Sequence, residues 1–182
     1  MNCPVCSMAT LQTVETDEQL KSLKCTTCSG QWIPASQYWA WIERHGPNQP
    51  ERQPAEGDEA EALEVQETHK IKTCPECSHF LIRYRVGHGL NFSIDRCSAC
   101  GGLWFDANEW DLLKARNLHD DVPYIFSAAW QLRAAREEEL QRRDARMRRQ
   151  LGEEDFAEVE RMKNWLAPHP RRSLILAYLA GK

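Results

Sequence analysis

Residues 97–110, CSACGGLWFDANEW, place two cysteines in a C-x-x-C turn, then a glycine pair, a tryptophan, and an aspartate three positions before a glutamate. A C-x-x-C turn can present two thiolates to one metal ion, and a second pair brought alongside completes a tetrahedral shell. Cys74 and Cys77 in CPECS (74–78) supply that pair. Between the pairs, Leu81, Arg83 and Arg85 alternate with Ile82, Tyr84 and Val86, and Gly87 to Gly89 offer a turn. Period-two alternation broken by glycines predicts a β-hairpin that carries one cysteine pair to the other.

The same construction occurs earlier in the chain. CPVCS (3–7) returns as CPECS (74–78), and KCTTCSGQWIPASQYW (24–39) returns as RCSACGGLWFDANEWD (96–111). The offset is 71 at the first pair and 72 at the second, which one extra residue in the second hairpin would explain. Cys3, Cys6, Cys25 and Cys28 therefore form one expected ligand set, and Cys74, Cys77, Cys97 and Cys100 the other. Each knuckle should lead into a short helix, over 35–44 and 107–116. In the second copy Asp106 and Glu109 have the spacing of a reciprocal helix cap, whereas Pro34 and Gln37 hold those positions in the first.

These readings give a small metal-stabilised α+β fold: two tetrathiolate zinc ribbons, each a β-hairpin plus a short helix, followed by an α-helical C-terminal arm. The expected divisions are ribbon 1 over 1–45, an acidic flexible linker over 46–70, ribbon 2 over 71–118 and a helical region over 119–182. Seven acidic and two basic residues with three prolines give the linker too little apolar content for a core. A flexible tether of that length spans roughly 25–30 Å, so the ribbons couple rigidly only if they dock. A short helix within it, over 59–67, is compatible with the sequence. In the arm, helices are expected from Phe126, over 153–166 and from Ser173. Leu140, Met147 and Leu151 fall on one side of the first, and Arg142, Arg146 and Arg149 on the other.

Four thiolates close a zinc shell and leave no position for water or substrate, so the two expected Zn²⁺ ions are structural. Ribbons this small have little core, and metal binding should supply most of their folding free energy. The spacing does not distinguish zinc from iron, which in the same shell would make a rubredoxin-like electron carrier. Thioredoxin-like redox chemistry fits less well, since it expects one motif opening a helix in a βαβ unit. No histidine is needed as a ligand. No Ser–His–Asp grouping, phosphate loop or paired-carboxylate motif stands out, so neither an enzyme nor a small-molecule substrate is expected.

The second copy closely resembles the small bacterial zinc-finger module classed with the zinc ribbon of general transcription factor IIB, which ends in CxxCGGxWxDxxE. Cys74, Pro75, Cys77, Cys97, Cys100, Gly101, Gly102, Trp104, Asp106, Glu109 and Trp110 carry the resemblance. The first copy keeps the cysteines with Pro4, Gly30 and Trp32 and lacks the acidic pair, as a divergent member would. The resemblance implies zinc and a ribbon fold, and its name suggests transcription.

The net charge is −4, distributed as −6 over residues 1–70, −1 over 71–125 and +3 over 126–182. Two tetrathiolate zinc centres would bring it to about −8, unlike a general nucleic-acid binder. Any nucleic-acid contact should therefore be local, at 142–149. A protein partner is the leading expectation. It rests on Trp39 and Ile42, apolar where the second copy has Asp111 and Lys114, and covered either by the C-terminal helices or by another protein. The run 174–180 is too short to span a bilayer, where about 20 residues are needed, and no membrane partner is expected. The N-terminus has no signal-peptide pattern, and paired cysteines suit a reducing compartment, so a cytoplasmic location is expected.

Overall fold

The computed structural model describes residues 1–15, 19–45, 65 and 67–181. Most of the expected linker, with most of its short helix, lies outside them. The chain divides into two compact units, residues 1–136 and 137–182.

In the first unit, strands β1 (Leu11–Glu15), β2 (Lys21–Cys25) and β3 (Gln31–Ile33) precede helix α1 (Ala35–His45). Strands β4 (Leu81–Gly87), β5 (Leu90–Cys97) and β6 (Leu103–Phe105) precede helix α2 (Glu109–Ala115) in the same way. The two ribbons do dock. β3 pairs antiparallel with β6, matching Gln31 to Phe105, Trp32 to Trp104 and Ile33 to Leu103. The result is one six-stranded sheet in the order β1-β2-β3-β6-β5-β4. The register is its own mirror, which puts a pseudo-twofold axis at the Trp32–Trp104 pair.

Strand alternation sorts the centre of this sheet into two cores. Trp32 and Trp104 join the buried cysteines on one side. Ile33, Leu103 and Phe105 join Tyr38, Trp41, Trp110 and Leu113 in the other cluster. Thus the inward faces expected for the two helices also meet one another: Trp110 lies 6.1 Å from Trp41 and 6.5 Å from Tyr38, both edge-on. Ile42 packs against this core as a partly buried residue, whereas Trp39 remains 51% exposed.

The repeat offset has a different origin from a single hairpin insertion. Leu11 faces Cys25 and Leu81 faces Cys97 at the starts of the two hairpins. The second hairpin is therefore two residues longer. Cys3 N–H bonds Ala9 O, whereas Cys74 N–H bonds His79 O, so the first knuckle contains one more residue. The difference of one is a net of two changes of opposite sign.

Helix α3 (Val122–Ile125) and the start of α4 (Ala128–Leu151) complete the first unit. Trp130 Nε1 donates to Val86 O at 2.7 Å, and Gln131 both accepts from Arg85 N–H and donates to Arg85 O. These side chains occupy the backbone edge of β4. The second unit contains the rest of α4, then α5 (Glu153–Leu166) and α6 (Arg172–Leu179), close to the expected positions. Phe156 is its one buried hydrophobic residue among those described.

Candidate metal centres and the buried ion network beside them

Each cysteine set forms a cluster whose four sulfurs lie within 4.8 Å of one another. Neighbouring sulfurs are 3.6 Å apart for Cys3–Cys28, 3.5 Å for Cys74–Cys100 and 3.4 Å for Cys77–Cys97. A zinc–sulfur distance of about 2.3 Å gives a tetrahedral edge of about 3.8 Å, so the clusters fit a zinc shell. Backbone N–H groups of Val5 and Cys6 point at Cys3 Sγ, and that of Glu76 at Cys74 Sγ, each at 3.4 Å. Such donors stabilise thiolate charge. Burial raises Cys3, Cys28 and Cys74 to about 11. At Cys25 and Cys97 burial acts in the same direction, but amides of Cys28 with Thr27, and of Cys100 with Ala99, lower both to about 7. His79 bonds the Cys77 carbonyl through Nδ1; the four thiolates leave it no ligand role.

The residue after each knuckle has positive φ: Ser7, Ser29, Ser78 and Gly101, at 59–75°. Its amide returns to the carbonyl of the first cysteine in each knuckle. Gly102 does a different job from Gly101. A Cβ there would lie 2.1 Å from Trp32 Cζ2, and one on Gly30 would lie 2.3 Å from Trp104 Cζ2. Each Gly-x-Trp therefore supplies a tryptophan to one copy's neighbour and the space for the neighbour's tryptophan.

Asp106 does not cap α2 with its side chain. The helix starts at Glu109 after Asn108, which is left-handed and makes no side-chain cap. Half of the expected reciprocal cap is present, since Asp106 N–H donates to Glu109 Oε2 at 2.7 Å. The Asp106 carboxylate instead accepts from Trp104 Nε1 at 2.7 Å, from Thr68 N–H and Oγ1 at 2.7 Å each, and from Lys72 Nζ at 2.9 Å. Lys72 also bonds Asp95 Oδ2 at 2.5 Å, with its side chain only 1% exposed. Burial alone would raise the Asp106 pKa, but Lys72, Thr68 and Trp104 outweigh it and hold the carboxyl below its ordinary range. Burial and the Asp106 charge push Glu109 up to about 9, so it is protonated at neutral pH. Sequence reading missed Lys72 and Asp95 altogether. The signal available was a lysine two residues before Cys74 and an aspartate two before Cys97, at positions held by Met1 and Leu23 in the first copy.

Of the other expected site residues, Arg142 pairs with Glu138 on α4, beside Arg143 with Asp144 and Arg148 with Glu153. Among the described residues, Arg146 and Arg149 make no ion pair. Thr68, placed by the sequence in the flexible linker, is attached to ribbon 2 through Asp106, and Val65 packs against the core.

Residues 2–44 and 73–116 each match the transcription factor zinc-finger family, together just under half of the chain. The two ribbons are tandem copies of this zinc-ribbon module. No curated protein and no solved structure matches the chain. No described helix is long and apolar enough to cross a membrane.

Proposed function

We propose that the protein is a non-enzymatic, zinc-dependent adaptor whose fused ribbons present a fixed surface to another protein. The observation that supports it most is Trp39, half exposed on α1 of a module whose metal ligands are all thiolates. The equivalent position in ribbon 2 is Asp111, which forms a surface ion pair with Lys114 at 3.0 Å. A large aromatic in place of a solvated charge favours a partner contact. Ile42 contributes from below as a supporting contact, since it is itself packed on the core. The test compares native-cell protein complexes captured by the zinc-loaded chain and by Trp39→Asp. Loss of specific partners with zinc content unchanged supports the reading; the same partners at the same yield overturn it.

A second reading is nucleic-acid contact through Arg142, Arg146 and Arg149, favoured by the guanidinium groups of Arg146 and Arg149, which pair with no acid among the described residues. Its test is the salt dependence of binding to mixed-sequence DNA and RNA. Replacing those arginines should reduce the slope if they contact phosphates. Metal analysis decides between zinc and the iron carrier, because tetrathiolate iron absorbs strongly in the visible.

A further inference from the structure

Residues 161–182 contain Arg161, Lys163, Arg171, Arg172 and Lys182 and no aspartate or glutamate, within a chain of net charge −4. The same segment exposes Met162, Trp165, Leu174, Leu176, Tyr178 and Leu179, with Trp165 at 59%, Leu174 at 66% and Tyr178 at 83%. Helix α6 has no buried residue. At 100° per residue, Leu174, Ile175, Leu176, Tyr178 and Leu179 stand at about 0, 100, 200, 40 and 140° around its axis. The helix is thus apolar over most of its circumference and yet uncovered. Helices of that kind are found buried in protein or lipid. A protein groove covers one face of a docked helix, which would leave Leu176 or Leu174 in water. A membrane interface takes the apolar side of such a helix about 5–10 Å into the boundary between headgroups and acyl chains and leaves its charged residues at headgroup level.

The charges specify which membrane. Arg171 and Arg172 stand at the start of α6 and pair with no acid among the described residues, whereas Arg161 and Lys163 near the end of α5 are paired with Glu158 and Glu160. Trp165 packs on His169 at 5.0 Å, in the turn between the helices, and Trp and Tyr favour the headgroup level. Eight residues make a helix of about 12 Å, well short of a hydrocarbon core of about 30 Å. We propose that residues 161–182 bind the surface of an anionic lipid bilayer, with α6 inserted at the headgroup boundary and Arg171 and Arg172 on lipid phosphates. This goes beyond the adaptor reading and does not depend on it. The expectation of no membrane partner was drawn from spanning length, which surface binding does not require.

The experiment uses the full zinc-loaded chain, sedimented with vesicles of phosphatidylglycerol and phosphatidylcholine in equal parts or of phosphatidylcholine alone. Binding is expected to the anionic vesicles at low salt, weakening as salt rises. Leu176→Asp with Leu179→Asp should lower the bound fraction by about tenfold or more. Arg171→Ser with Arg172→Ser should lower it and flatten its salt dependence. Since α6 buries no side chain, these variants should keep their zinc content and far-ultraviolet spectrum. The Trp165 contribution, read as the difference between the native chain and Trp165→Phe, should shift to the blue on vesicle addition. No sedimentation with anionic vesicles overturns the proposal. So does binding that survives the paired leucine changes, and so does a leucine-dependent dimer that ignores vesicles.

Discussion

The two ribbons share a metal shell, a knuckle geometry and a Gly-x-Trp seam, but they hold their tryptophans differently. In ribbon 2, Trp104 Nε1 donates to Asp106, which is bonded in turn to Lys72 and Thr68. In ribbon 1 the buried Trp32 Nε1 has no partner among the described residues. The residues equivalent to Lys72, Asp95, Asp106 and Glu109 are Met1, Leu23, Pro34 and Gln37. Structure supports these equivalences: Leu11 N–H bonds Met1 O as Leu81 N–H bonds Lys72 O, and Leu23 faces Trp32 as Asp95 faces Trp104. One copy keeps a buried ionic network and the other carries no charged side chain at the same four positions. The fold tolerates both, so the network is not required by the ribbon itself. Through Asp106 it holds the Trp104 indole, the ring that fills the space over Gly30 at the seam.

Loss of a thiolate should have the largest effect and should be unequal between copies. Structural zinc contributes about 10–16 kcal/mol to folding of small zinc-finger peptides. Cys3→Ser and Cys74→Ser should each reduce zinc from two ions per chain to one. Ribbon 2 has the network and the packing of Trp130 and Gln131, so it should stay folded in Cys3→Ser. Ribbon 1 lacks both and should lose order in Cys74→Ser. Zinc stoichiometry with near-ultraviolet dichroism reads this, and equal losses in the two variants would end the claimed asymmetry. Occupancy in both sites should fall as pH drops, because the ligands bind metal as thiolates.

Next comes the network. Lys72→Met copies ribbon 1 at one position and leaves Asp95 and Asp106 buried without their shared cation. Breaking a buried pair from one side costs about 3–5 kcal/mol. Adding Asp95→Leu completes the ribbon-1 pair and should recover part of that loss in chemical denaturation, since Asp106 retains Trp104 and Thr68 as donors. No recovery would mean that Asp95 is held by Arg83 and not by Lys72; Arg83 Nε lies 3.4 Å from it. At the seam, Gly102→Ala places a Cβ against Trp32 and should cost about 1–3 kcal/mol as overpacking. Combining it with Trp32→Phe tests the coupling. Additive costs would place the strain elsewhere.

What the sequence made legible divides along the same line. Ligands and repeat were visible because C-x-x-C spacing is local and occurs four times. The helices followed from Tyr38, Trp41, Trp110 and Leu113 at helical intervals. The docking of the ribbons was not visible, because β3 and β6 are three residues each and too short to show a period. Nothing local marks the role of the glycines in the Gly-x-Trp motifs, since Gly102 serves a tryptophan 70 residues away in sequence. Asp106 and Glu109 matched a capping motif that accounts for one hydrogen bond. The Asp106 carboxylate's own partners are Trp104, Thr68 and Lys72, of which Thr68 falls in the expected linker and Lys72 at the very start of the expected ribbon, where neither carries a motif.

The remaining expected effect is a slope with pH and concerns Glu109, whose ribbon-1 counterpart is already Gln37. Its pKa rises from an ordinary 4.5 to about 9 in the folded chain, through burial and the Asp106 charge. Between those values the folded protein retains a proton that the unfolded chain has released. Stability contributed at this site is therefore full below about 4.5 and declines as pH rises toward 9, by at most about 1.4 kcal/mol per pH unit. Glu109→Gln keeps an oxygen for the Asp106 N–H and has no proton to lose. Thermal melts of the zinc-loaded proteins between about pH 6.5 and 9 avoid acid loss of metal, and thiolate titration is common to both. The variant should gain on the native chain steadily across that range. Parallel melting curves would mean that Glu109 is charged in the fold and that its Oε1, buried and without a hydrogen-bond partner among the described residues, is reached by solvent; a widening gap would make ribbon 1's glutamine the less costly solution at the same place.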